Sequence, residues 1–152
     1  MPISHEIPVI WGQDEGYLYL QLRDFKSGAR KNPLMAPIAR TLKHDEMLAL
    51  AEYFSKKQWP QLGQPSAPAN VATTAEQTNT SIGCTGCHQG DYQGAGTQPR
   101  LAGQRREYLE SQMLAFRDGS RGNNPGMSDL MKAATKPQLA AMAQYLAGKL
   151  VR

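Results

Sequence analysis

Cys84-Thr85-Gly86-Cys87-His88 holds both cysteines of this 152-residue chain and one of its three histidines. C-x-x-C-H is the attachment signature of a c-type haem: two thiols add to vinyl groups, and the adjoining imidazole becomes an axial ligand to iron. The same spacing also suits a redox disulfide or half of a zinc site. A zinc site wants further ligands, and the other histidines, His5 and His44, are far off in sequence. A thioredoxin-like motif wants a β-α-β pattern around it, and no convincing strand flanks this one. Haem attachment is the favoured reading.

Working outward, the composition sets modest bounds. The length suits one domain or two small ones with a buried core. With 14 Gly, 10 Pro and 7% aromatics, short helices joined by irregular loops fit better than a sheet protein. The net charge of +4 is uneven: acids and bases balance before Ser81, and all the excess lies in the half that carries the cysteines. It reads either as a solvated surface or as a steering patch for an acidic partner. The bases are not dense or interleaved with aromatics as nucleic-acid binding would require. No apolar run is long enough to cross a bilayer, and Met1-Pro2-Ile3-Ser4-His5 does not resemble a secretory signal. Because haem is attached to this motif outside the bacterial cytoplasm, the expectation is an exported, periplasmic protein whose signal is absent from this sequence.

The chain also repeats itself. Pro8, Gly12, Gln13, Tyr17, Leu18, Gln21, Phe25, Gly28 and Arg30 reappear as Pro99, Gly103, Gln104, Tyr108, Leu109, Gln112, Phe116, Gly119 and Arg121, at a constant offset (13 to 104). After one extra residue in the second copy, Met35 matches Met127, Ala51 matches Ala143 and Tyr53 matches Tyr145. Duplication on this scale has to be settled before any fold is named.

Each copy carries two apolar stripes at helical period. The first has Leu18, Leu22 and Phe25, then Met47, Leu50, Ala51 and Phe54. The second has Leu109, Met113 and Phe116, then Leu139, Met142, Ala143, Leu146 and Leu150. Thr135 with Gln138 reads as a capping box opening the last helix, and Gly148 lies near its end. Between the copies, residues 58–74 contain Pro60, Pro65 and Pro68 and show no periodicity, as expected of an ordered or semi-extended linker.

CTGCH, then Pro99-Arg-Leu-Ala-Gly-Gln104, Tyr108-Leu109, Phe116-Arg117, Gly119, Arg121, Met127 and the closing Ala143-Gln-Tyr145 segment resemble a class I cytochrome c of the cytochrome c4 type. The resemblance covers nearly all of both copies. It implies an all-α fold of two tandem cytochrome c-like lobes: residues 1–57 as an incomplete first lobe without a CxxCH, 58–74 as linker, and 75–152 as the domain carrying the haem site. The family is periplasmic and usually dihaem, with a methionine before the last helix as sixth iron ligand.

Four methionines lie downstream of the motif. Met113 and Met142 fall on apolar stripes and read as core, while Met127, in an irregular stretch after Gly122-Asn-Asn-Pro-Gly126, is the favoured ligand and Met131 the fallback. His/Met ligation would fill both axial positions, leaving an iron that exchanges electrons and binds no substrate. By the same resemblance, Pro99 would offer its carbonyl to the Nδ1 proton of His88 and Leu101 would pack on the ring. Gln104, Tyr108 and Arg121 would serve the haem propionates, or else be surface or helix-packing residues. Trp11 and Trp59 read as lobe-interface packing.

The first copy departs from the family in having no CxxCH. Cys84 lies 15 residues before Pro99, and the same distance before Pro8 falls ahead of Met1. The favoured expectation is a longer natural chain with a second haem and Met35 as its ligand. The other is a monohaem chain whose first lobe persists for docking or packing. Either way the resemblance implies an electron carrier with no catalytic residues. Its donor would be a quinol-oxidising complex or a dehydrogenase, and its acceptor a terminal oxidase or reductase. Two further classes stand beside it: the cytochrome subunit of a flavoprotein dehydrogenase such as sulfide dehydrogenase, and a gas-binding haem with an open axial site.

Overall fold

The computed structural model describes residue 4 and residues 6–150; His5, weighed above as a ligand, lies outside them. Eight helices carry the described chain: α1 (Glu15–Ser27), α2 (Met35–Thr41), α3 (His44–Ser55), α4 (Ala69–Ile82), α5 (Cys84–His88), α6 (Arg106–Asp118), α7 (Pro125–Ala133) and α8 (Lys136–Ala147). No strand forms among the described residues, and a lone bridge joins Ala95 to Gln98. No described helix is long and apolar enough to cross a membrane.

The two lobes repeat several of one another's turns and caps. Gly28 and Gly119 end α1 and α6 at φ 83° and 84°, a left-handed geometry that glycine adopts without a Cβ penalty. After these turns Arg30 N–H donates to Asp24 O and Arg121 N–H to Ala115 O, both at 3.0 Å. Gly12 N–H donates to Phe54 O at 2.8 Å and Gly103 N–H to Leu146 O at 2.9 Å. The side chain of Asn32 accepts from Met35 N–H at 2.9 Å, as Asn124 accepts from Met127 N–H at 3.0 Å. The matched residues therefore recur because they close the same turns.

In the second lobe α8 is the hub, with α4 and α6 packed on it and α7 on α6. Leu109, Met113 and Phe116 of α6 meet Leu139, Met142, Ala143 and Leu146 of α8, with Met131 and Ala75 joining them. The Thr135–Gln138 capping box forms in both directions, Thr135 N–H to Gln138 Oε1 at 2.8 Å and Gln138 N–H to Thr135 Oγ1 at 3.3 Å. Leu150 departs from its expected place on this stripe: the helix stops at Ala147, and Leu150 is 82% exposed.

The stretch expected to be linker through Thr74 is helical from Ala69 onward. Pro68 supplies the start, and Ala, Thr and Asn residues mask the period because α4 buries only a narrow face, Ala75 and Thr78, against its neighbours. The remaining extended segment is fastened to the second lobe. Gln64 Nε2 donates to Gln104 O at 2.9 Å, and Gln64 Oε1 accepts from Arg106 N–H at 3.1 Å. Trp59 is buried, with the Arg100 guanidinium stacked 4.9 Å from its ring, and so bridges the lobes as expected. Trp11, 41% exposed, does not share that burial.

Candidate functional site

The haem motif is one helical turn. Gly83 separates α4 from α5, and Asn79 Oδ1 accepts from Thr85 N–H at 3.0 Å, tying the new turn back onto the old helix. Residues three and four apart share a helix face, so Cys84, Cys87 and His88 emerge on one side. The thiols are free, Cys84 half-buried and Cys87 exposed. Burial pushes the Cys84 thiol up from its ordinary value, opposite to the depressed thiol of a redox or thiolate-metal site. No group of three or more His, Cys, Asp or Glu that could hold a metal occurs among the described residues, so this donor set does not suit structural zinc.

His88 is 4% exposed. Its Nδ1 lies 2.9 Å from Pro99 O, which only accepts, so Nδ1 carries the hydrogen and Nε2 presents a lone pair. Nε2 is buried and has no hydrogen-bond partner; an unpaired buried acceptor is costly in a folded protein. Burial pushes the imidazole below its usual pKa, with the Pro99 carbonyl opposing, which favours the neutral, metal-ligating form. Just beyond, Gln89 is held at φ 68°, a conformation sparsely populated by non-glycine residues and typical of functional sites. The Tyr92 carbonyl then accepts from Leu101 and Ala102 N–H at 2.9 and 3.1 Å, drawing the Pro99 segment across the motif.

Met127 does not sit in an irregular loop. Asn124 caps α7 and Pro125 opens it, placing Met127 in the first turn, partly buried against the core. The Asn-Asn-Pro-Gly signal that read as a loop is a helix start. Met131, one turn on, is 3% exposed and consumed in the core cluster. Met113 and Met142 are core residues as expected, and Leu101 is partly buried against the same cluster.

Gln104 is occupied elsewhere: its Oε1 accepts from Val9 N–H at 2.8 Å and its Nε2 donates to Val9 O at 2.9 Å. The matched Gln13 does the same in reverse, accepting from Arg100 N–H at 2.7 Å and donating to Arg100 O at 3.0 Å. Each lobe thus clasps the backbone of the other. Tyr108 and Arg121 lie in a second shared network. Arg30 donates to Tyr108 Oη at 3.0 Å and to Gln112 Oε1 at 2.8 Å, while Arg121 donates to Gln112 Oε1 at 2.8 Å and Gln21 Oε1 at 3.1 Å. Arg30 and Arg121 are each only 8% exposed. Burial raises the Tyr17 phenol, but Arg121 and Arg30 outweigh it and leave it below its ordinary value. Tyr108 is raised, by burial first and then by Tyr17. Asp24 is the buried carboxylate here, and it already faces Arg23 and Asn123. Two buried cations with so little negative charge around them suit anionic ligand groups. Roles for Gln13, Tyr17, Gln21 and Arg30 were not assigned from sequence, although the repeat matching had singled each of them out.

A cleft of about 400 Å³ lies away from the motif, lined by Leu114, Arg117, Asp118, Lys132 and Lys136. It holds none of the haem-motif residues. Its three cations are part of the second lobe's positive excess.

Comparison with known proteins bears on the family and the fold. Residues 72–148 match the family model of cytochrome c. The chain is 36% identical over 150 residues to a thiosulfate dehydrogenase electron acceptor of Stutzerimonas stutzeri, covering 92% of this chain and 69% of that one. It superposes on a solved cytochrome c4 of Acidithiobacillus ferrooxidans with a TM-score of 0.86 at 33% identity, over 96% of this chain and 90% of that one. It also superposes on a solved thiosulfate dehydrogenase from Marichromatium purpuratum, with a TM-score of 0.80 at 26% identity, over 95% of this chain and 33% of that one.

Proposed function

Because the chain belongs to the cytochrome c family, as a c4-type class I cytochrome and an electron carrier rather than an enzyme, we propose that Cys84 and Cys87 attach a haem c whose iron is ligated by His88 and Met127. The observation that carries this reading is the buried, partnerless Nε2 of His88 beside two free thiols. When bound, the haem supplies a one-electron couple. The residues do the rest. Pro99 fixes the His88 tautomer and ring orientation. Met127 is favoured over Met131 because the latter is consumed in packing. Arg121 and Tyr108, with Arg30 and Tyr17 from the first lobe, are the donors for propionates, and Gln104 is a lobe clasp. Leu101, partly buried against the core, would pack against the ring. The haem-bearing lobe begins at Ala69, where α4 starts, and Met35, capped as Met127 is, is the ligand position of the first lobe.

The test is intact mass under denaturing conditions, which leaves thioether-bound haem attached. A mass increase of one haem per CxxCH is expected, with a sulfur-to-iron charge-transfer band in the ferric protein that Met127→Ala abolishes and Met131→Leu keeps. A protein that binds carbon monoxide readily in the ferrous state at neutral pH would refute the six-coordinate assignment.

For the partner, we read the chain as a periplasmic acceptor of single electrons from a dehydrogenase acting on a sulfur compound, thiosulfate being the substrate of the matched relatives' enzymes. The basic cleft at Arg117, Lys132 and Lys136 favours encounter with an acidic surface, which raises the association rate more than the affinity. Rapid reduction of the protein by such a dehydrogenase, slowing with added salt, is the expected result. Equal rates at low and high salt would count against steering.

A further inference from the structure

We infer that Gln13, a residue of the first lobe, is a positioning residue for His88 and tunes the second-lobe iron through the peptide unit shared by Pro99 and Arg100; this rests on the His88 ligation proposed above. The Pro99 carbonyl and the Arg100 N–H belong to one amide group. On one side that amide accepts from His88 Nδ1 at 2.9 Å, and on the other it donates to Gln13 Oε1 at 2.7 Å. The hydrogen bonds therefore run unbroken from imidazole to carboxamide across the lobe boundary. Gln13 is 4% exposed, so water does not compete for the N–H.

Bonds in such a chain polarise one another. When the Arg100 N–H is drawn toward Gln13, negative charge builds on the Pro99 oxygen, which pulls harder on the Nδ1 hydrogen. The imidazole then donates more electron density from Nε2 and favours ferric over ferrous iron, as partners of a ligating histidine do. The surroundings are shaped for this approach. A Cβ at Gly94, which has φ 76°, would stand 2.5 Å from the Arg100 nitrogen and 2.4 Å from Asp14 Oδ2. The second hydrogen bond, Gln13 Nε2–H to Arg100 O at 3.0 Å, and a third from Asp14 N–H to Gln13 Oε1 at 2.9 Å, lock the carboxamide in this orientation. The matched Gln104 holds Val9 the same way, but the peptide unit it grips follows Pro8, so it has no link to His88.

The experiment measures the midpoint potential of the haem-loaded protein in an Asp14→Ala background, where no side-chain acceptor at position 14 can take over the Arg100 N–H. Gln13→Leu is expected to raise the midpoint, changing the ferric-to-ferrous ratio at fixed ambient potential roughly two- to fourfold. It should also move the His88 Nδ1 proton resonance upfield. Gln13→Glu, which keeps an acceptor, is expected to bring both readouts back to the parent values or beyond them. Should Gln13→Leu fail to fold, Gln13→Asn, one methylene too short, replaces it. A midpoint that stays put or falls in Gln13→Leu overturns the inference, a fall being what a loosened interface admitting water to the haem would produce. Absorbance and mass keep the two readings apart. A haem that is missing, or not ligated by His88, defeats the ligation reading, whereas a correctly ligated haem that ignores Gln13 defeats this inference alone.

Discussion

The two lobes share turns, caps and glycines, yet their last helices meet different surroundings. In the second lobe, α4 lies along α8, and Tyr145 of α8 is edge-on to Tyr92 at 6.3 Å with its hydroxyl 3.5 Å from Glu76. In the first lobe the matched Tyr53 of α3 is 55% exposed, Leu48 is 40% exposed, and on α2 Ile38 is 55% exposed. No described helix stands against α3 as α4 stands against α8. Among the described residues, the same apolar pattern is covered where α4 lies alongside it and uncovered where the counterpart of α4, at the offset of the repeat, would fall ahead of Met1. Burial is a property of what is brought alongside, and the stripe only offers it.

The largest expected effect breaks the comparison at its chemical point of difference. Cys84→Ser together with Cys87→Ser should abolish covalently attached haem at the CTGCH motif, read as the loss of one haem in the intact mass. Next comes the buried core. Leu139→Ala, at a residue with 0% exposure, should cost about 3–5 kcal/mol in denaturant unfolding. By contrast Tyr53→Ala, on the open face, should change stability by about 0.5 kcal/mol or less.

The clasps sharpen the comparison from the other side. Gln104→Leu leaves the Val9 N–H and C=O without partners and should cost about 2–4 kcal/mol of stability, while Gln13→Leu, where the Asp14 carboxylate can take up the Arg100 N–H, should cost less. Only Gln13→Leu, in the Asp14→Ala background, should move the haem midpoint. Gly28→Ala and Gly119→Ala, where an added Cβ meets nothing within 4 Å, should each lose only about 1 kcal/mol, equally in both lobes. Unequal losses there would show that the two turns are not equivalent.

The smallest effect concerns Asp14. Burial raises its pKa, while the Arg100 backbone N–H and guanidinium pull the other way without prevailing. A raised folded pKa means that the folded state resists ionisation: the penalty is absent below the ordinary aspartate value and sets in as pH rises through the folded one. Asp14→Asn should therefore give a slight stabilisation at neutral pH that disappears in acid. Parallel urea titrations at neutral pH and near pH 3 check it.

Much of this was legible in residue types. CTGCH points to the proposed site because haem attachment needs two thiols and an imidazole within one turn. The repeat is visible because identical turns and clasps demand identical glycines and glutamines. Thr135 and Gln138 announced their capping box because it is closed by four consecutive residues. What stayed hidden depended on partners far along the chain. Alternation of Thr, Ala and Asn gave α4 no visible stripe, since its narrow contact face is defined by α8. Met127 read as loop because Asn-Pro-Gly is ambiguous between a turn and a capped helix start. Gln104 reads from sequence as a propionate donor or a packing residue alike, because nothing local reveals that Val9, 95 residues away, takes both ends of its carboxamide.

The sequence by itself determined the chemistry of the haem motif, the helical class and the duplication, all of which rest on spacings of a few residues or on identities in register. Tertiary structure alone decided that α4 covers the face of α8, that Met131 is taken into the core while Met127 stays at its edge, and that a first-lobe glutamine reaches the peptide unit behind His88. Those outcomes depend on surfaces and hydrogen-bonding groups from distant segments meeting at ångström distances, and a linear pattern does not encode which segments will meet.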